Sequence, residues 1–86
     1  MTEKINEPIA VLAIFNRDAR GAVKVIPQAI QWRNRRYAIG QMGLYHPEKR
    51  GAKRVHIFSF SADSIAFRTE LNPETLEWTL AEIFYK

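Results

Sequence analysis

Residues 30–39, IQWRNRRYAI, are the stretch that decides the fold of this 86-residue chain. Ile30 and Trp32 lie two positions apart, and Tyr37 and Ile39 repeat that spacing on the far side of Asn34. A period of two is typical of a half-buried β-strand, and asparagine is one of the few residues that tolerate the positive φ of a tight turn. The stretch therefore predicts a β-hairpin that turns at Asn34.

Further strands flank this hairpin on both sides. Residues 9–15, IAVLAIF, form a short apolar run, and residues 22–26, AVKVI, follow after a stretch of turn-forming residues. Residues 54–60 and 65–71 on the C-terminal side each predict a strand, the second with clear alternation. These segments indicate a chain built mainly of strands.

Three features indicate how the strands are interrupted. Pro27 removes a backbone donor and predicts a sheet edge or a bulge. Gly40 and Gly43 indicate a bend or a close approach of two backbones. Residues 46–52, HPEKRGA, predict a polar loop between two strands.

The last segment, residues 73–84, fits two structures. It begins as helices often do, with Asn72 as cap and Pro73 as first residue, and its leucines recur at helical spacing. The same residues also alternate as in a strand, and a hairpin with the preceding strand would place Arg68 near Glu77, an opposite-charge pair. The strand is favoured, whereas a helix here would make the fold α+β.

The sequence thus predicts an all-β fold, in which five or six antiparallel strands form a meander that curls into a small barrel or half-barrel. Residues 1–8 mix charges with a proline and predict a flexible tail. Residues 9–86 predict one small domain, because a chain of this length supplies a single core. The predicted core draws on every strand and comprises Val11, Ile14, Val25, Ile30, Trp32, Tyr37, Ile39, Ile57, Phe67, Leu71, Trp78 and Leu80.

Composition limits the classes of function. The chain is 47% hydrophobic and 26% charged and has no cysteine. It therefore predicts a folded domain without disulfides, which suits the reducing cytoplasm. The N-terminal residues lack the apolar segment of a secretory signal, and no apolar run approaches the length of a membrane-spanning helix. A cytoplasmic protein with no membrane partner is expected.

Catalysis and metal binding find little support in the sequence. A zinc site needs three or four ligands, and His46 with Glu48 supplies too few, while His56 lies in an apolar strand where packing is the ordinary role. The four glycines are scattered rather than grouped in a phosphate-binding loop, and no serine occupies a nucleophile turn. The sequence predicts no enzyme activity, no catalytic residue, no metal and no cofactor.

Positive charge is concentrated in the middle of the chain. Residues 33–54 hold seven basic residues and one acidic residue, whereas the rest holds six basic and eight acidic residues. Aromatic residues are interleaved with these basic residues. A protein that binds single-stranded nucleic acid combines a basic groove with aromatic faces on which nucleobases stack. The candidate nucleic-acid-binding residues are Arg33, Arg35, Arg36, Tyr45, His46, Lys49, Arg50, Lys53 and Arg54.

Other interpretations of the same residues stay open. Loop bases also serve solubility, and alternating aromatic residues such as Trp32 and Tyr37 are ordinary core. The basic residues could also bind an acidic protein in place of DNA or RNA. A protein-interaction or structural module would instead pair an exposed strand edge with a partner or with a second copy in a homodimer. Convergence of the two basic segments on one face would favour nucleic acid.

A hairpin signature in this chain resembles that of a bacterial family of small β-domains. Its pattern is Pro27-x-x-Ile30-x-Trp32-x-Asn34-Arg35-x-Tyr37-x-Ile39, joined by a closing Trp78-x-Leu80. Relatives of the pattern look like the C-terminal domains of Y-family-polymerase-like mutagenesis proteins, so the resemblance implies an accessory role in DNA transactions and no catalytic residue. It covers roughly residues 27–83. The chain departs from the pattern at Asn34, where the family has glycine, and lacks a Trp-rich segment at residues 45–53.

Overall fold

Seven β-strands and no helix make up residues 2–85, the part of the chain that the computed structural model describes. The all-β prediction is confirmed. The count of five or six strands is wrong, because the chain forms two separate strands, Arg35–Ala38 and Gln41–Arg50, on either side of Gly40. The α+β alternative is wrong, because a strand occupies most of residues 73–84. Met1 and Lys86, the outer ends of the predicted tail and domain, lie outside the described residues. The strands are β1 (Thr2–Arg17), β2 (Val23–Trp32), β3 (Arg35–Ala38), β4 (Gln41–Arg50), β5 (Lys53–Ala62), β6 (Ile65–Leu71) and β7 (Trp78–Tyr85).

All neighbouring strands are antiparallel and form one sheet with the order β3-β2-β1-β7-β6-β5-β4. Strand β1 is long enough to pair with two different strands along its length. Its first half, up to Ile9, pairs with β7, and its second half, from Ala10 onward, pairs with β2. The first and last strands therefore lie inside the sheet, and β3 and β4 form its two edges.

The two edge strands follow each other in sequence and are joined only by Ile39 and Gly40. The Ile39 N–H donates to the Gln28 carbonyl in β2 at 2.9 Å, and the Gly40 N–H donates to the Ser61 carbonyl in β5 at 2.8 Å. Because two adjacent residues bond to opposite sides of the sheet, the sheet curls until its edges meet here. A strand that switches partners at a bend is a known way to make such a corner.

Beyond this corner the edges separate. Strand β3 has four residues and accompanies β2 only along Ala29–Trp32, so the β2 edge at residues 23–27 is unpaired on that side. Within residues 2–85 no ladder joins β4 to β2 or β3. The sheet is curled but open. Of the two predicted forms, a small barrel or a half-barrel, the closed barrel is wrong, because β3 is too short to line β2.

The core lies inside the curl. The Tyr37 ring in β3 meets the Phe67 ring in β6 edge-on, with 5.2 Å between centroids, which shows that opposite parts of the sheet face each other. Among the predicted core residues, Ile14 alone is exposed, at 50%, because Val11 and Ala13 take the inner face of β1. The core cluster comprises Ile30, Trp32, Tyr37, Phe58, Phe60, Ala62, Phe67, Leu71, Trp78, Leu80 and Ile83.

The first residues belong to the sheet. Residues 2–8, for which the sequence favours a flexible tail, form the first half of β1 and pair with β7. A β-bulge between Lys4 and Glu7 places Asn6 at a φ of 51°. Ile5 packs against the core, and this apolar contact, together with the ladder to β7, holds the segment.

Candidate binding cleft

The nine residues predicted to bind nucleic acid do not form one surface. Arg33, Arg35 and Arg36 lie at the end of the molecule that carries the β5–β6 turn, where Arg35 Nη2 is 3.9 Å from Asp63 Oδ2. The other six lie on the β4–β5 hairpin, whose turn stands at the opposite end of β5. Ten residues of extended strand separate the two ends, a distance of about 30 Å.

Arg33 is held in a structural contact. Its Nη2 donates to Glu7 Oε2 at 2.6 Å, and its guanidinium lies 4.6 Å from the centre of the Trp32 ring. Trp32 Nε1 donates to Glu7 Oε1 at 2.9 Å. The hydrogen bonds from Arg33 and Trp32 lower the pKa of the Glu7 carboxyl. This cluster ties the β2–β3 turn to the bulge in β1.

Arg50 is also occupied, on the outer face of the β4–β5 hairpin. It donates to Glu48 Oε2 at 2.7 Å and to both carboxylate oxygens of Glu70, at 3.0 and 2.8 Å. These hydrogen bonds raise the pKa of the guanidinium, first through Glu70 and then through Glu48. Lys49, Lys53 and Arg54 form no ion pair with any residue in 2–85.

A cleft of about 540 Å³ opens where the two edges of the sheet separate. It lies between the β1–β2 hairpin and the β4–β5 hairpin. Its outer walls are apolar side chains that remain about half exposed, whereas Phe58 at its floor is 3% exposed. The lining residues are Phe15, Val23, Lys24, Val25, Ile26, Met42, Tyr45, His56 and Phe58.

The cleft is the uncovered part of the inner face of the sheet. Phe15 follows Val11 and Ala13 at a spacing of two, and it lies opposite Val25 in β2. Phe15 is nevertheless 57% exposed, and Val23 is 56% exposed. These are core-facing positions without a strand to cover them, because β3 leaves β2 at Gln28 and the chain crosses to β5.

A β-bulge in β4 brings two side chains into the cleft. Met42 lies opposite Phe60 and Tyr45 lies opposite Phe58, so one residue of β5, Ser59, faces two residues of β4. Without the bulge, residues three apart would lie on opposite faces. Gly43 permits it, since a Cβ at this position would stand 3.0 Å from the Ser59 carbonyl oxygen.

Aromatic contacts connect the cleft wall with the core. Tyr45 and His56 share a hydrogen bond of 2.7 Å between Oη and Nδ1, and their rings are stacked with centroids 5.8 Å apart. Tyr45 also meets Phe58 at 4.9 Å, and Phe58 meets Trp78 at 5.3 Å between ring centroids. Tyr45 is therefore fixed by its neighbours although it is 50% exposed.

Basic residues form the outer rim of the cleft. The inner row of β1 continues from Phe15 to Arg17, and the inner rows of β4 and β5 continue to Lys49 and Arg54, which lie opposite each other. His46 is exposed and lies on the other face of β4 from Tyr45. Six basic side chains of the two hairpins make no ion pair in the described part of the chain: Arg17, Arg20, Lys24, Lys49, Lys53 and Arg54. Lys53 lies opposite Arg50 and therefore on the outer face.

The β1–β2 side of this site was missed by sequence reasoning. Phe15, Val23 and Arg17 were not candidate site residues, because the strand register that brings them beside β4 depends on the curl of the sheet. One signal was present. Residues 9–15 place apolar side chains on both faces of a strand that ends at a turn. A strand with one buried face needs apolar side chains on that face only.

A metal site or a membrane-spanning helix would require features of its own. Between Thr2 and Tyr85 no three or more His, Asp or Glu side chains group closely enough to hold a metal ion. The same span contains no helix of the length and hydropathy needed to cross a bilayer. Comparison with protein-family models, with curated proteins and with solved structures found no match to this chain. The resemblance to the small β-domain family stays a prediction.

Proposed function

We propose that the protein is a non-catalytic interaction domain that binds an extended polypeptide segment as an added β-strand in the cleft. One observation carries the proposal: the free edges of β2 and β4 border an apolar part of the inner sheet face that no strand covers. Strand addition uses both features, because the backbone of the partner bonds to a free edge while alternate side chains enter the pocket.

The two edges are open to such a partner. Unpaired strand edges present N–H and C=O groups, and many proteins shield them with charges or proline. Pro27 and Pro47 each remove one donor, but residues 23–26 and residues 41–46 contain no proline, so the N–H groups that point away from β1 and β5 remain. The segment 41–46 also carries no charged residue. An edge of this kind is suited to pairing.

Single-stranded nucleic acid is the second candidate ligand. Arg17, Lys49 and Arg54 favour it, since they continue the inner strand rows that hold the half-exposed rings of Phe15 and Tyr45. The resemblance to polymerase-associated domains also supports a role in DNA transactions. This proposal uses the residues of the β4–β5 hairpin and the β1–β2 tip. Arg33, Arg35 and Arg36 lie too far away to join the same short contact.

The test is fluorescence anisotropy with labelled peptides and oligonucleotides. The peptides have about eight residues, in which valine alternates with threonine and one end carries glutamates, glutamines or lysines. At least one of them is expected to bind, and Phe15→Ser is expected to weaken its binding about tenfold. Leu12→Ser is the matched control, because Leu12 is equally exposed, at 57%, on the opposite face of the same strand.

Two results would contradict peptide binding in the cleft. An equal loss of peptide affinity in Phe15→Ser and Leu12→Ser would place the binding site outside the cleft. Failure of all peptides, together with binding of single-stranded DNA or RNA at a log–log salt slope of roughly −3 to −4, would favour the nucleic-acid candidate, because that slope corresponds to about four neutralised phosphates.

A further inference from the structure

We infer that the segment bound in the cleft is acidic at one end: apolar residues alternate along its inner part, and carboxylates follow where it passes between the two hairpin tips. The inference rests on the proposed function and adds the chemistry of the partner. It follows from how charge is distributed along the cleft.

The tip end of the cleft has an excess of positive charge. Residues 14–27 and residues 42–56, the two flanking hairpin segments, hold seven basic residues and two acidic ones. Both carboxylates already have partners. Asp18 accepts from the backbone N–H groups of Arg20 and Ala22 within its own turn, and Glu48 accepts from Arg50. The six other basic side chains make no ion pair within residues 2–85 and can therefore contact an anionic group of a partner.

The other end of the cleft carries no charge. Residues 25–28 and residues 39–44, which border the corner where the edges meet, contain no acidic or basic side chain. The cleft therefore changes from apolar at the corner to basic at the tips over the length of one strand. A partner that matches it is apolar at one end and acidic at the other.

The geometry of the rim supports carboxylates in particular. Arg17, Lys49 and Arg54 continue the inner rows of their strands, so they stand on the same face as the cleft lining. A strand lying over Phe15 and Tyr45 would run outward between them. The unpaired edge of β2 spans residues 23–27, which at the rise of an extended strand gives a ladder of roughly 17 Å.

A second copy of this chain is a poorer occupant. Pairing two clefts would bring two basic rims together, and like charges that face each other across an interface disfavour association. Each chain also has a net charge of +4. An acidic segment of another protein meets no such penalty.

The experiment compares the peptides described above, with the glutamates placed at the N-terminal or at the C-terminal end, because the segment can run in either direction. The better acidic peptide is expected to bind about tenfold more tightly than its glutamine counterpart at low salt, and the lysine peptide is expected to bind least. Added salt is expected to remove most of the difference.

A matched pair of variants locates the charge effect. Arg54→Glu is expected to weaken binding of the acidic peptide roughly fivefold and to weaken binding of the glutamine peptide much less. Arg36→Glu changes an exposed arginine at the other end of the molecule that forms no ion pair with residues 2–85, and it is expected to affect neither peptide.

The outcomes separate this inference from the proposed function. Equal affinity for the glutamate and glutamine peptides would overturn the acidic partner and leave the strand-binding cleft. Binding of no peptide would overturn both. Light scattering that shows a dimer, dispersed by Phe15→Ser and retained by Leu12→Ser, would assign the cleft to a second copy and also overturn the inference.

Discussion

At the residue scale, one carboxylate shows how a charged cluster serves the fold rather than a ligand. Glu7 accepts from Trp32 and from Arg33, and so it joins a core indole to a turn that the sequence assigned to nucleic-acid binding. Sequence reasoning correctly placed Trp32 in the core. It could not identify the partner of Arg33, because 26 residues and a β-bulge separate the two side chains.

The Glu7 cluster predicts a pH-dependent effect of Glu7→Gln on stability. The folded-state pKa of Glu7 is lowered, so the ionised carboxylate stabilises the fold above its ordinary pKa of 4.5, and this contribution is lost as the pH falls through the folded-state value. Urea unfolding is therefore expected to show that Glu7→Gln has a lower free energy of unfolding than the parent at neutral pH, and that this difference decreases in acid. An equal difference in unfolding free energy at both pH values would show that the charge of Glu7 contributes nothing.

At the element scale, the turns and edges decided which sequence predictions succeeded. The hairpin at Asn34 is confirmed, since Arg33 and Asn34 adopt φ values of 49° and 61°, as the tight turn requires. Residues 46–52 were expected to form a loop, but β4 extends to Arg50 and only two residues make the turn. Polar composition misled here, because an exposed edge strand has no buried face to mark it.

Register was the second limit at this scale. Arg68 was expected near Glu77, but it lies opposite Glu82, with 4.0 Å between Nη1 and Oε1. The connection at residues 72–77 occupies six positions, and β7 begins only at Trp78. Local sequence does not determine the length of such a connection, so the strand was predicted and its pairing was not.

The bulge in β4 predicts unequal effects of alanine at two glycines. Gly43→Ala is expected to lower the free energy of unfolding by about 1–3 kcal/mol, because the new methyl group meets the Ser59 carbonyl at 3.0 Å. Gly40→Ala, whose Cβ would stand 3.5 Å from the Ser61 carbonyl, is expected to change it by less than about 0.5 kcal/mol. Urea unfolding of both variants measures the difference. Equal losses would mean that the bulge does not depend on the close approach at Gly43.

At the scale of the whole molecule, the path of the sheet determines the candidate site. Alternation and turns in the sequence were enough to predict an all-β domain and most of its core. They could not show that the two halves of β1 pair with different strands, or that β3 and β4 form the opposite edges of the sheet. Both facts depend on pairing between distant residues, and together they open the cleft and send the two basic segments to opposite ends.

In the folded molecule, only part of the basic cluster in residues 33–54 lies near the cleft. Arg33 and Arg50 are held by carboxylates, and Arg36 is remote from the cleft. The basic residues that remain around the cleft come partly from the β1–β2 hairpin, where positive charge is not concentrated locally in the sequence. The β4–β5 half of the proposed binding surface was among the residues predicted from the sequence, whereas its other half depends on tertiary structure.

Amide hydrogen exchange, measured with and without the acidic peptide, tests the strand-binding cleft most directly. Slower exchange is expected at residues 23–26 and 41–46, since the added strand would bond to these free edges, and β6 is expected to show no change because both its edges are already paired. Bound peptide without protection of either edge would contradict strand addition in the cleft.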